Sequence, residues 1–244
     1  MPTKSKTAKV PSAADVRRAL RALADPAKVE SVSRFFKTGK GQYGEGDVFL
    51  GISVPAQRQV ARQFTDLPLE EGAQLLSSKE HEVRLCALLI WVLQSKQALP
   101  AQRRALYQAY LAHTRYVNNW DLVDSSAGAL VGSYLMDKDR TVLRKLAKSP
   151  LLWERRIAVI ATQAFIMAGQ SADTLDLCAR LLDDKHDLMH KACGWMLREV
   201  GKRVGREDLR GFLKAHAHRM PRTMLRYAIE HLDKDERLRW MGAE

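Results

Sequence analysis

A basic residue, then any residue, then a small one recurs inside apolar stretches as Arg84-Leu85-Cys86, Arg156-Ile157-Ala158, Lys191-Ala192-Cys193 and Arg226-Tyr227-Ala228. The copies stand 72, 35 and 35 residues apart. Because the first gap is close to twice the others, the period predicts a fifth copy near residue 120, where Asn118-Asn119-Trp120-Asp121-Leu122-Val123-Asp124 begins. A unit of about 35 residues holds two ordinary helices and their turns, and such units bury their apolar stripes by stacking on one another. The expectation is an all-α chain: an α-α superhelix, a HEAT-like helical-repeat solenoid with a basic concave groove.

Local signals agree with that reading. Apolar residues recur at three- and four-residue intervals, and 8 Pro and 14 Gly in 244 residues leave little room for long loops. Helix starts are marked at Asp25 before Pro26, Ser53 before Val54 and Pro55, Ser149 before Pro150, and Ser171 ahead of Asp173. Residues 39–46, with glycine at 39, 41, 44 and 46 around Tyr43, read as a loop between helices. The loop lacks the Gly-Lys-Ser/Thr ending of a P-loop and follows a helix, which argues against nucleotide hydrolysis. Residues 1–11, with Lys4, Lys6 and Lys9 and no apolar run behind them, read as a basic disordered tail, and residues 12–244 as a single repeat domain.

Charge narrows the partner. Forty Lys and Arg against 28 Asp and Glu give a formal +12, which favours a polyanion and makes nucleic acid the first candidate. Half of that excess lies between Arg198 and Arg226. Along the rim of a curved stack, side chains such as Arg206, Arg210 and Lys214 would follow a phosphate backbone; the alternative is a solvated helical surface. Nothing in the pattern reads bases.

Other classes are excluded. The longest apolar run, Leu85 to Leu93, is too short to cross a bilayer. Cys86, Cys178 and Cys193 cannot all pair and form no CxxC spacing, so neither a disulfide framework nor a cysteine zinc site is expected, and a reducing cytoplasm fits. His186 and His190 lack a third ligand, His81-Glu82 lacks the second histidine of a metalloprotease helix, and His216 and His218 sit among basic residues. All read as non-catalytic, and neither metal nor cofactor is expected.

On a helical wheel begun at Trp120, residues Val123, Asp124, Ala127, Leu130, Val131 and Tyr134 fall within about 80° of it, which puts an acid in an apolar stripe. Asp121 falls instead with Ser125, Gly128 and Gly132 on a small-residue face, where it favours a helix N-terminus. Asp124 is either a buried acid bonded to a neighbouring unit or a carboxylate at the lip of a groove, one turn from Trp120. In the next unit, on the wheel of Trp153, Ile157, Ile160 and Ala164, Arg156 points into the seam and Arg155 to solvent. Arg156 also reads as a structural repeat arginine, as Arg84 and Arg226 do, and Trp195, sharing a stripe with Leu188 and Ala192, reads as core.

The segments Phe49 to Pro55, Trp120 to Asp124, Trp153 to Ala158 and Lys191 to Glu199, in this order and spacing, resemble the AlkD-like DNA alkylation repair glycosylases over about residues 25–232. The resemblance implies a helical solenoid that holds duplex DNA in a basic groove and releases N3- or N7-alkylated purines by hydrolysing the N-glycosidic bond; because a capped solenoid needs no partner to close its core, a monomer is expected. It makes Asp124 the catalytic carboxylate, Trp120 and Trp195 the groove aromatics, Arg156 the groove arginine pinning a flanking phosphate, and Phe35 an aromatic near the lesion. Asn119 stands where the family pattern has a second tryptophan, and the 39–46 loop is longer than in compact members. A non-catalytic DNA-binding relative and a HEAT-type scaffold for an acidic protein are the alternatives.

Overall fold

A computed structural model describes residues 10–242. The tail expected at residues 1–11 therefore falls, for its first nine residues, outside the described part. The chain divides into two compact units, Met1–Leu122 and Val123–Glu244. The first holds α1 (Ala13–Arg21), α2 (Pro26–Phe35), α3 (Val54–Gln63), α4 (Leu69–Leu76), α5 (His81–Gln97) and α6 (Pro100–Ala112). The boundary falls inside α7 (Trp120–Asp124). The second unit holds α8 (Thr141–Ala147), α9 (Leu152–Ala161), α10 (Gln163–Met167), α11 (Ala172–Arg180), α12 (Asp187–Arg203), α13 (Arg206–His216), α14 (Arg222–Ala228) and α15 (Lys234–Trp240). Among the described residues the only extended pairing is an isolated bridge between Val48 and Glu80, so the fold is all-α. No described helix is long and apolar enough to cross a membrane.

The repeated pattern sits at the fourth or fifth residue of α5, α9, α12 and α14. Its small member is the constant part: Cys86, Ala158, Cys193 and Ala228 are all buried, where a larger side chain would displace the neighbouring helix. The basic member varies, buried at Arg84 and Arg156 and exposed at Arg226. Within the first unit α3 and α4 pack on α5, which is buried on every side from His81 to Trp91; within the second, α9, α13 and α14 pack on α12.

Three of the four marked starts fall where expected. Asp25 accepts the Ala27 N–H ahead of α2, while Ser53 and Ser171 stand at the N-cap positions of α3 and α11. The fourth is displaced: α9 begins at Leu152, and Ser149 accepts from the Leu151 N–H and donates to Glu154, building the turn before the helix. The glycine-rich stretch is a loop between α2 and α3.

The helix expected to run on from Trp120 to Tyr134 is instead two pieces. α7 stops at Asp124, and Gly128–Gly132 form a π-helical turn in which the Ser133 N–H donates to the Gly128 carbonyl. A wheel at 100° per residue does not hold through the wider turn. The small-residue face does what its composition allows, since a Cβ at Gly132 would stand 2.0 Å from the Ala161 carbonyl oxygen. Only glycine permits that approach of the π-turn to α9.

In the first unit the buried Glu82 carboxylate accepts the N–H groups of Leu50, Gly51 and Ile52 at 2.9–3.2 Å, pinning the Phe49 to Pro55 segment against α5. Gly51 takes φ +77 there, a left-handed conformation in which an L side chain is strained. The three cysteines are free and buried. Burial pushes the Cys86 thiol up to about 12 and raises that of Cys178 well above its ordinary value.

Candidate functional site

Each unit carries its own cluster of chemistry-bearing side chains. In the first, the end of α2 brings Phe35 and Phe36 against Trp120 at the start of α7. The rings of Phe49, Phe36 and Trp120 stack in order, with centroids 5.1 and 5.3 Å apart and planes 19° from parallel. Phe35 meets Trp120 edge-on at 5.9 Å and remains 64% exposed, so an apolar ring faces solvent beside a half-buried indole. Such a pair of large rings is what base or sugar stacking requires.

Beneath the ladder lies His81, the first residue of α5, with its ring 4.6 Å from Phe49 and 4.9 Å from Phe36. A carboxylate stands at each ring nitrogen: Asp47 Oδ2 is 3.0 Å from Nδ1 and Asp121 Oδ2 is 2.8 Å from Nε2. Only the doubly protonated imidazolium donates to both. Asp47 also accepts from Arg84 Nη2 at 2.7 Å and from Asn119 Nδ2 at 3.3 Å. Burial disfavours the charge on His81, but the bonds to Asp121 and Asp47 outweigh it and its pKa is raised. Burial likewise opposes ionisation of Asp47; the bond from His81 and the charge of Arg84 prevail and hold its pKa below the usual value.

Asp121 therefore does more than favour a helix N-terminus: it is buried and bonded to a histidine 40 residues earlier. From sequence alone His81 reads as non-catalytic, and Asp47, Phe36 and Phe49 do not stand out individually. The one available signal is the apolar segment Val48-Phe49-Leu50 directly after an isolated Asp47.

In the second unit Asp124 and Arg156 form a fork. Nε and Nη2 of Arg156 donate to the two carboxylate oxygens at 2.9 and 2.8 Å, and Nη1 donates to the Leu188 carbonyl at 2.5 Å. The Arg156 side chain is only 5% exposed and that of Asp124 17%, so the carboxylate keeps an edge open to solvent while its partner is closed in. With all three nitrogens engaged, Arg156 is placed to hold Asp124 rather than to grip a phosphate itself.

Arg155 departs from the expected solvent position. Nε pairs with Asp184 at 2.7 Å and Nη1 donates to the carbonyls of Ser149 and Pro150, with the side chain 18% exposed. Its long stem lets the head fold back across the direction its Cβ points. Trp195, on α12, is half-buried.

The basic run divides in two. Arg206 and Lys214 are exposed on α13 and form no ion pair among the described residues. Arg210 is bound on both sides, with a fork to Glu236 at 2.8 and 2.9 Å and a bond to Glu207 at 2.6 Å, which makes it a tie between α13 and α15. Arg198, Arg203 and Arg219 also pair with carboxylates. His186 Nδ1 accepts the Leu188 N–H and His190 Nε2 bonds the Asp184 carbonyl. No group of three His, Cys, Asp or Glu among the described residues is placed to hold a metal ion.

A sequence model of the family described as DNA alkylation repair enzyme matches residues 16–232. Among solved structures, a chain described as "Predicted DNA alkylation repair enzyme from Enterococcus faecalis" is similar with a TM-score of 0.66 and 18% identity, over 86% of this chain and 97% of that one, a likeness of fold. A search of curated proteins found no match.

Proposed function

The chain belongs to the family of DNA alkylation repair enzymes, and from that premise we propose that it is a monofunctional DNA glycosylase, a hydrolase that removes N3- and N7-alkylated purines from duplex DNA. The observation that carries this reading is the Asp124 carboxylate, gripped at both oxygens by the buried Arg156 and itself 17% exposed.

Alkylation at N3 or N7 gives the purine a positive charge, so the base leaves without being protonated. The C1′–N bond breaks with its electron pair moving to the base, which departs neutral and leaves positive charge on the sugar. A fixed carboxylate beside that centre stabilises the oxocarbenium character and accepts a proton from the water that adds to C1′. Arg156 holds Asp124 in one orientation, because a guanidinium fork fixes both oxygens. In the first unit Phe35 and Trp120 are the rings available to DNA, and a π-system favours a cation over its plane; in the second, the half-buried Trp195 is taken as a DNA contact on the family resemblance. The +12 net charge, with Arg206 and Lys214 exposed, supports attraction to the DNA backbone.

The test is to incubate the purified protein with duplex DNA carrying 7-methylguanine or 3-methyladenine, with and without EDTA, and to measure free base. Base release insensitive to EDTA is expected. DNA binding without release would assign the chain to non-catalytic binding, and absence of both would leave the scaffold reading.

A further inference from the structure

We propose that His81 is a positioning residue for the proposed reaction: held between Asp47 and Asp121, it fixes both flanks of Trp120, so that the indole is set for alkylated DNA only while His81 carries its charge. This rests on the glycosylase reading for its catalytic readout but not for its structural one.

The argument begins with where the chain is tied. The residue before Trp120 is Asn119, whose Nδ2 donates to Asp47 Oδ2 and whose Oδ1 accepts the Trp120 N–H at 2.8 Å. The residue after it is Asp121, whose Oδ2 lies 2.8 Å from His81 Nε2 and whose Oδ1 accepts the Leu122 N–H. Asp47 Oδ2 is itself 3.0 Å from His81 Nδ1. Both neighbours of the indole are thus tethered to one buried Asp47–His81 pair, and a second route reaches the ring itself through His81, Phe36 and Trp120. A five-residue helix has few internal hydrogen bonds with which to hold itself. The first-unit end of α7 depends on these tethers.

The charges facing His81 balance only when it is protonated. Asp47 comes from the loop before α3, Arg84 from α5 and Asp121 from α7; with the imidazolium they form two positive and two negative groups. The adjacent acids point elsewhere, Glu80 to Arg21 and Glu82 to the backbone of Leu50 to Ile52. A neutral ring donates at one nitrogen only and turns a lone pair toward the carboxylate at the other. One tether is then broken and a buried negative charge goes uncompensated. Asp47 keeps Arg84 and Asn119 in either case, so the buried charge left without a cation is that of Asp121, and the segment 119–121 loosens on its Asp121 side.

The experiment uses the full-length protein grown with 5-fluorotryptophan, whose five indoles give separate fluorine resonances; Trp120→Phe assigns the one that matters. The Trp120 resonance is expected to follow a single titration whose midpoint lies above the ordinary histidine value of about 6.5. Asp47→Asn keeps the size and an acceptor oxygen but removes the charge, and is expected to move that midpoint down. His81→Gln is expected to abolish it, with melting curves showing that both variants remain folded. Single-turnover base release should show an alkaline decline of roughly 10-fold with the same midpoint, moving with Asp47→Asn, and the Asp47→Asn rate should return to wild type on the acid side of its new midpoint. A Trp120 resonance that does not titrate, or titrates identically in wild type and Asp47→Asn, overturns the proposal. So does base release that ignores pH while the resonance moves. If the wild type releases no base at any pH, the glycosylase reading fails, and the fluorine titration alone decides whether His81 sets Trp120.

Discussion

Replacing Asp124 with asparagine removes the proposed catalytic charge and, at the same stroke, the partner of a buried guanidinium. Arg156 is 4% exposed overall and gives two of its nitrogens to Asp124. Breaking a buried pair by neutralising one member destabilises by about 3–5 kcal/mol. Arg156 keeps the Leu188 carbonyl, and the amide oxygen of asparagine still accepts one bond, so the low end, about 3 kcal/mol, is expected. At about 2–4 °C per kcal/mol for a chain of this size, that is a fall in Tm of roughly 6–12 °C. The single variant therefore confounds chemistry with stability, and the double variant Asp124→Asn/Arg156→Met separates them. With both partners gone no buried charge is stranded, and Tm is expected to recover to near the wild-type value. Excision is not expected to recover: loss of positioned electrostatic and acid–base action should leave release of 7-methylguanine about 10²–10⁴-fold slower in both. The measurements are calorimetric melting and single-turnover base release below the transition. A double variant that regains both Tm and rate would refute the catalytic assignment and leave Asp124 as a structural acid. So would a single variant that is destabilised as calculated yet excises at the wild-type rate.

Reversing Arg206 and Lys214 together to glutamate should weaken binding to all DNA sequences and make the slope of log affinity against log salt shallower by about 0.9 for each phosphate no longer neutralised. Arg210→Met should instead lower Tm; its partner Glu236 is held down to about 2, so its stabilisation is present above about pH 4.5 and disappears as pH falls toward 2, an acid limb that the variant should lack in pH-dependent melting. The raised pKa of His81 acts in the opposite sense. Its contribution is full below about pH 6.5 and is lost as pH rises through the folded value, so wild-type Tm should decline on the alkaline side and that of His81→Gln should not. If residues 12–244 act as one repeat domain, calorimetry should show one transition with equal calorimetric and van't Hoff enthalpies; two resolved transitions would separate the units.

The helical class and the repeat were legible because stacking units must place a small residue at the same depth each time, and Cys86, Ala158, Cys193 and Ala228 record that directly. The Asp124–Arg156 fork was legible for a related reason: two wheels put an acid and a base in facing apolar stripes, where each needs the other. The ring of groups around His81 was not. Asp47, His81 and Asp121 are separated by 34 and 40 residues, and no periodicity links a loop residue to two helix starts. The sequence also does not tell which cations of a basic run are spent on carboxylates, since Arg206, Arg210 and Lys214 share spacing and chemistry while only Arg210 meets a partner from α15. The π-turn at Gly128–Gly132 was missed because a wheel presumes the geometry it is used to find.

The burial of all three cysteines has a consequence for how a member of a DNA alkylation repair family would meet alkylating electrophiles. Thiolates are among the strongest nucleophiles a chain carries, and the reactive form is the thiolate. With its thiol pushed up to about 12 by burial, Cys86 carries far less thiolate at neutral pH than an unperturbed cysteine. Cys178 is suppressed in the same direction, and all three sulfurs are closed off from solvent. The fold therefore offers such reagents no exposed thiol at Cys86, Cys178 or Cys193.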